Sequence, residues 1–292
     1  MTNKLSAIWF ASMLALVGAA ATATAQDRTG AYFGLELGAF FPSDIRTDGS
    51  DTDFRDISCD AHLYPSNTCG SNPERGTTWV NRFDTGTGAL AGLTLGYMLD
   101  HFRFEFEYLY RNGGDDTSPI AAVTDRAGEF RVLDESFDNL EAHHLFANVY
   151  YDFLGFSRFT PYLGVGVGWA RTEVDYEGLF IRNPSDVFNA DPALQDKAAA
   201  AGTITRGSQN FEETSFGYQL LVGVDYWLID HLSLGMKLRY AEFDHIRDGH
   251  HEWDLLRSHA STTAPGGDPI TYQIESNDIR FWGASLNLKY RF

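Results

Sequence analysis

Apolar and polar residues alternate with a period of two in eight separate stretches of the chain. The stretches cover residues 30–41, 86–99, 102–111, 140–153, 159–170, 215–228, 232–243 and 279–292. A period of two places successive side chains on opposite faces of a β-strand. Each stretch also covers the roughly 9–11 residues that a tilted strand needs to cross a membrane. The pattern therefore predicts eight membrane-crossing β-strands.

The connections between these strands alternate between short and long. Residues 100–101, 154–158 and 229–231 form the three short connections. Long loops are predicted near 42–85, 112–139, 171–214 and 244–278. Short turns at one end and long loops at the other are typical of membrane barrels. The sequence thus predicts an all-β fold over residues 26–292, an eight-stranded antiparallel up-and-down transmembrane β-barrel with four long extracellular loops.

The two faces of each predicted strand differ in chemistry. One face is apolar, as in Leu93, Leu95 and Tyr97, and its aromatic residues gather at both strand ends like the girdles at a membrane surface. The alternative is a soluble barrel with these rows inside. Eight strands enclose room only for side chains or one small ligand, and more than twenty large apolar residues would overfill it. The apolar rows are therefore predicted to face lipid.

Charged residues lie on the opposite face, near the middle of several strands. Strands three and seven stand on opposite sides of an eight-strand ring, so Glu105 and Glu107 are expected to meet Lys237 and Arg239 across it. Buried charges are costly unless they are paired. This favours a salt-bridged plug, with a polar gate or narrow ion path as the alternative. The predicted lumen network comprises Glu36, Arg103, Glu105, Glu107, Asp152, Asp225, Lys237, Arg239 and Lys289.

The N-terminus has the features of a cleaved secretory signal peptide, residues 1–25. Lys4 precedes an apolar run, and Ala23-Thr24-Ala25 matches a cleavage site. In an exported chain, Cys59 and Cys69 are expected to form a disulfide. A metal-binding pair is the alternative, but the spacing of ten is a poor zinc pattern.

The predicted loops carry most of the negative charge of the chain. Over 41–84, 112–137, 172–213 and 244–277 there are 28 acids against 11 Lys plus Arg, within a formal total of -18. This acidity argues against nucleic acid as a partner. The acidic loops could repel anions, collect divalent cations or bind a basic partner, and they could equally serve only to keep this surface soluble.

One of the predicted loops contains a helix signal. Residues 191–202 begin with Asp and end with Gly, and this pattern predicts a short helix.

Two groups of residues contain side chains that chemical sites use. The histidines of the last loop match no metal-site spacing, so neither a metal nor a cofactor is predicted; they are His245, His250, His251 and His259. His231-Leu232-Ser233 with Glu242 resembles the arrangement of barrel lipid A deacylases. However, His231 lies at a short turn, and Glu242 is nine residues from Ser233 on the same strand, which is about 30 Å. No enzymatic activity is predicted.

Four segments of the predicted strands are distinctive, namely Asn148–Asp152, Thr160–Gly168, Gly217–Gly223 and Leu286–Phe292. The first three resemble strands of the small bacterial opacity and surface-antigen family of outer-membrane barrels, whose architecture OmpA- and OmpX-type barrels share. The fourth resembles the C-terminal signal of bacterial outer-membrane proteins. The resemblance implies the outer membrane of a Gram-negative bacterium, with lipid and lipopolysaccharide around the barrel. Tyr290 and Phe292 correspond to the C-terminal signal that the barrel-assembly machinery reads.

The resulting functional hypothesis is an outer-membrane surface antigen or adhesin-like interaction protein, or an envelope-structural protein, that acts through its external loops on a host or cell-surface partner. Loops held by a rigid scaffold are where binding usually resides. The alternative is a small porin or channel for ions or small solutes.

Overall fold

The computed structural model describes residues 29–292, except 62, 66–68, 71, 114–117, 120, 157, 194, 248 and 259–263. The predicted signal peptide and His259 therefore lie outside the described residues.

No helix in the described part has the length and apolar character needed to cross a membrane. Among the described residues, one α-helix, α1, spans Ser185–Ala190. The strands are β1 Gly30–Pro42, β2 Ile45–Asp51, β3 Thr78–Asp84, β4 Gly88–Leu99, β5 Phe102–Asn112, β6 Ser118–Pro119, β7 Val123–Thr124, β8 Phe130–Asp152, β9 Phe159–Arg182, β10 Ile204–Ile229, β11 Leu232–Phe243, β12 Asp254–Arg257, β13 Tyr272–Ser276 and β14 Ile279–Arg291.

Eight of these strands form a closed antiparallel ring in the order β1-β4-β5-β8-β9-β10-β11-β14. The ring closes because β14 pairs with β11 on one side and with β1 on the other. Each ring strand contains the core of one predicted stretch, so the eight-stranded up-and-down barrel is confirmed. Closure leaves no unpaired strand edge around the ring.

The outer surface of the ring is apolar and the inner surface is polar. Leu95 and Phe106 are 62% and 69% exposed on the outside, whereas Arg103 and Glu107 are fully buried inside. A continuous exposed apolar belt of this kind is stable in hydrocarbon and not in water. The predicted sidedness of the strands is therefore the observed one.

Three ring strands run far beyond the belt. β8, β9 and β10 have 23, 24 and 26 residues, which is about 80 Å at roughly 3.3 Å per residue, against a hydrocarbon core of about 30 Å. Beyond the belt β12 pairs with β10, and a second sheet has the order β13-β2-β3-β6, with β7 also on β3. We call residues 43–87, 113–140, 171–214 and 244–278 the crown. All four segments predicted as loops thus contain strands.

The crown has its own hydrophobic core because the alternation of the long strands continues past the barrel. In β9 the inward residues change from the glycines at 164, 166 and 168 to buried Val174, Tyr176 and Phe180. The second sheet covers this aromatic face. The crown core comprises Trp79, Phe83, Phe130, Phe137, Leu140, Val174, Tyr176, Phe180, Phe211, Trp253, Ala264, Ile270, Tyr272 and Ile274.

The helix predicted over 191–202 is wrong in its extent and type. The α-helix lies earlier, at Ser185–Ala190, and Gln195–Ala200 form a 3-10 helix. The predicted start and stop residues still act locally, since Asp191 Oδ1 accepts a hydrogen bond from the Ala193 backbone N at 2.9 Å and Gly202 adopts a φ of +73°. A segment this short favours the tighter 3-10 turn.

Candidate functional site

The middle of the barrel lumen is filled by a compact cluster of acids and bases. Lys237 Nζ lies 2.7 Å from Glu36 Oε2 and 2.9 Å from Glu107 Oε1, and Arg239 Nη2 lies 2.8 Å from Glu107 Oε1. Glu105 lies 3.7 Å from Lys237. These side chains are at most 1% exposed. The cross-barrel contacts expected between strands three and seven are present.

A second cluster lies closer to the short turns. Arg103 bridges two acids, with its Nη2 at 2.7 Å from Asp152 Oδ1 and its Nη1 at 2.9 Å from Asp225 Oδ2. Lys289 Nζ approaches the same Asp225 Oδ2 at 2.8 Å. All nine residues of the predicted network are therefore buried in the lumen, where they form two clusters stacked along the barrel axis.

Neutral side chains that the network prediction left out complete the hydrogen bonding. The hydroxyls of Tyr32 and Tyr150 donate to the two Glu105 oxygens at 2.6 and 2.9 Å. Gln219 Nε2 donates to Glu107 Oε2 at 2.9 Å. Glu105 thus has two phenol donors besides Lys237, which offsets the one-residue excess of acids over bases in the network.

An apolar layer covers the charged lumen on the crown side. It contains the rings of Phe40, Phe146, Phe243 and Phe281. Arg111 lies within this layer, with its guanidinium carbon 4.7 Å from the Phe40 ring centre and 4.1 Å from that of Phe281. The lumen is therefore packed with side chains from the cluster near the short turns, through the middle cluster, to the base of the crown.

The remaining predicted residues lie apart from the lumen. Cys59 and Cys69 are joined by a disulfide in the crown, with their Cα atoms 5.4 Å apart. Tyr290 and Phe292 are exposed on the barrel exterior, at the end of β14. In the described part of the chain, no group of three His, Cys, Asp or Glu side chains is placed to hold a metal ion.

The residues that resemble a deacylase arrangement do not come together. Ser233 faces the lumen and is fully buried. Glu242 has the opposite parity on β11 and accepts a hydrogen bond from the Tyr240 hydroxyl at 2.7 Å. His231 lies in the short turn before β11. These three side chains form no catalytic constellation.

A buried carboxylate, Glu135, lies against the crown core and is 1% exposed. Trp79 Nε1 donates to it at 3.0 Å, Asn81 Nδ2 donates at 2.6 Å, and the Tyr176 hydroxyl donates as well. These three donors are neutral. Burial therefore dominates and raises the pKa of the Glu135 carboxyl above its ordinary value of 4.5.

This raised pKa predicts that the crown becomes less stable as pH rises. The folded crown holds the Glu135 proton more tightly than the unfolded chain does. The stabilisation is therefore fully present below the ordinary pKa of 4.5 and is lost as pH rises through the raised value. We expect Glu135→Gln, which stays neutral, to remove this part of the pH dependence. Tryptophan fluorescence during urea unfolding at acidic and neutral pH measures it, and identical pH dependence in both proteins would contradict the assignment.

The family model of the outer membrane protein beta-barrel domain matches residues 10–292. The chain belongs to this family. Members are barrels of the Gram-negative outer membrane, where short turns face the periplasm and long loops face outward, so the crown of this outer-membrane barrel is its external part. A search of curated proteins found no match to the sequence.

Solved structures of other outer-membrane proteins are similar to the chain. Neisserial surface protein A is 14% identical, with a TM-score of 0.40 over 89% of this chain and 97% of that chain. OprG from Pseudomonas aeruginosa is 15% identical, with a TM-score of 0.41 over 90% and 97%. The outer membrane protease OmpT from Escherichia coli is 10% identical, with a TM-score of 0.38 over 93% and 100%.

Proposed function

We propose that this protein is a closed outer-membrane barrel that displays its crown as an interaction surface, in the manner of a surface antigen or adhesin, for a host or cell-surface partner. The observation that supports this most directly is the crown itself. Four external segments fold around one aromatic core on top of three ring strands, above a lumen filled by paired charges. A rigid scaffold that holds a folded outer body suits binding.

The charge of the crown suggests the chemistry of its partner. The four predicted loop segments hold 28 acids and 11 Lys plus Arg. An acidic surface attracts basic partners and speeds their association. We therefore propose a partner with a basic surface, and the function assigns no catalytic step to the chain.

Three further parts of the proposal concern the path to the membrane. Residues 1–25 are removed on export. The barrel-assembly machinery engages β14, which pairs with both β1 and β11 and so closes the ring. The apolar belt then contacts outer-membrane lipid, with lipopolysaccharide in the outer leaflet.

Adhesion of lipid vesicles that carry the folded protein tests the interaction function. We expect these vesicles to bind cultured host cells, and we expect Trp79→Ala, which removes the centre of the crown core, to abolish binding. Leu234→Ala is the matched control because Leu234 is 46% exposed on the lipid-facing belt. Binding that persists in Trp79→Ala vesicles with an unfolded crown would remove the proposal.

Single-channel recording in a planar bilayer tests the alternative of a small pore. The wild-type protein is expected to give little steady conductance, because Lys237, Arg239 and Glu107 fill the lumen. A stable, ion-selective current from the wild-type protein would favour the channel instead.

A further inference from the structure

The crown contains a polar cavity where all four external segments meet. Asp51 comes from the first segment, Arg126 from the second, Arg182 from the third, and Arg257 and Tyr272 from the fourth. The cavity measures about 40 Å³. It lies apart from the charged lumen and beside the aromatic core, to which Tyr272 also belongs.

Two of the three arginines in this cavity are well paired. Arg126 Nη1 donates to the Phe54 carbonyl and to Thr77 Oγ1, each at 3.1 Å, and its Nη2 pairs with Glu129. Arg257 forms an ion pair with Asp53. Both guanidinium groups are therefore held in place by the crown.

Arg182 differs from its two neighbours. Its side chain is 11% exposed, and the nearest carboxylate oxygen, Glu129 Oε2, is 3.9 Å from its Nη1. That Nη1 is buried and makes no hydrogen bond to any described residue. A buried N–H group of a cation is costly when it has no hydrogen-bond acceptor, so Nη1 of Arg182 lacks an acceptor that an anion in the cavity would supply.

The other charged groups around the cavity leave it with more positive than negative charge near and below neutral pH. Arg126 and Arg257 add two positive charges, against Asp51 and Asp53. Burial, and then the charge of Asp53, raise the pKa of Asp51 to about 7. Below that pH Asp51 carries a proton, so it no longer offsets the positive charge of the three arginines that line the cavity.

We propose that this cavity binds a small monovalent anion, a halide ion or a carboxylate group, with Arg182 as its principal ligand. A cavity of about 40 Å³ holds about three water-sized atoms. That number matches a carboxylate, or a halide with one water, and is too small for sulfate or phosphate. The anion links the arginines of three external segments, so it stabilises the folded crown by mass action.

Chloride NMR line width tests the proposal on the full chain in uncharged detergent at slightly acidic pH. We expect the folded protein to broaden the chloride line and sodium formate to reverse the broadening. Arg182→Gln should reduce the excess width about tenfold, since it removes a charge-assisted ligand. Arg206→Gln is the matched control because Arg206 is 54% exposed and pairs with Glu177 on the crown surface; it should broaden the line as the wild type does.

Three outcomes of the NMR experiment would overturn the proposal. Absent broadening would mean that the cavity holds water only. Equal broadening by Arg182→Gln and the wild type would assign it to the surface, and reversal by sulfate as effective as that by formate would indicate charge screening. Because Arg182→Gln could misfold, bromide-soaked crystals of the wild type provide a second measurement. An anomalous peak beside Arg182 supports the site, and its absence in an ordered crown refutes it.

Discussion

Replacing Glu107 by glutamine is expected to destabilise the folded barrel by roughly 3–5 kcal/mol, the range for breaking a buried ion pair. Glu107 is fully buried and accepts hydrogen bonds from both Lys237 and Arg239. Glutamine keeps the shape of the side chain and removes its charge, so Lys237 and Arg239 lose the carboxylate that both contact in a packed interior. Glu36 contacts both cations as well, but Glu105 lies 3.7 Å from Lys237 and is held by two phenol donors. Urea unfolding in vesicles, followed by the mobility difference between folded and unfolded barrels on a gel, measures the loss.

The matched control for this change is Glu177→Gln on the crown surface. Glu177 also pairs with an arginine, Arg206, but the two side chains are 42% and 54% exposed. Exposed pairs contribute between about 0 and 1 kcal/mol. A loss of that size for Glu107→Gln would mean that water reaches the centre of the lumen, and the pore would then become the better hypothesis.

The barrel and its inner network were predictable because both follow from a local pattern and a closed geometry. A period of two separates lipid-facing from lumen-facing residues in every ring strand. Closure of eight strands then places β5 opposite β11, so Glu107 and Lys237 meet although 130 residues separate them. Two neighbouring tyrosines show that residue type by itself does not decide which face a side chain takes. Tyr150 faces the lumen and Tyr151 faces outward, although both are the same residue.

The crown core could not be read from the sequence for two physical reasons. In β8 the register shifts between Val132 and Asp134, and again between Asp138 and Glu141. Each shift breaks the alternation that carried the prediction in the barrel. The second sheet pairs segments that are far apart in the chain, as Thr47 with Ser276, and no local pattern encodes such a pairing. The alternating apolar residues Val174, Tyr176 and Phe180 in β9 were a signal that the sequence did offer.

Replacing Trp79 by alanine is expected to unfold the crown while the barrel stays intact. Trp79 is 1% exposed, its ring centre lies 5.0 Å from that of Phe180 and 6.4 Å from that of Tyr272, and its indole N–H donates to Glu135. Truncation of a buried tryptophan costs about 3–5 kcal/mol. Here it also removes a donor from a buried carboxylate, which adds to the loss.

Limited proteolysis of the folded protein in detergent distinguishes the two parts. We expect cleavage of Trp79→Ala within residues 43–87 and 244–278, whose strands lie only in the crown, while the gel mobility of the folded barrel is retained. Trp282→Ala is the matched control, because Trp282 is 55% exposed on the apolar belt and should leave the crown resistant.

The physical basis for this separation is that the two parts bury different surfaces. Below the crown, the ring is held by backbone pairing and by the lumen network, and no residue of the crown core lies in that part of the ring. The opposing consideration is that β8, β9 and β10 run continuously through both parts. If the barrel of Trp79→Ala no longer ran on the gel as a folded barrel, unfolding of the crown would have spread to the barrel through these strands. The chain would then unfold as one cooperative unit.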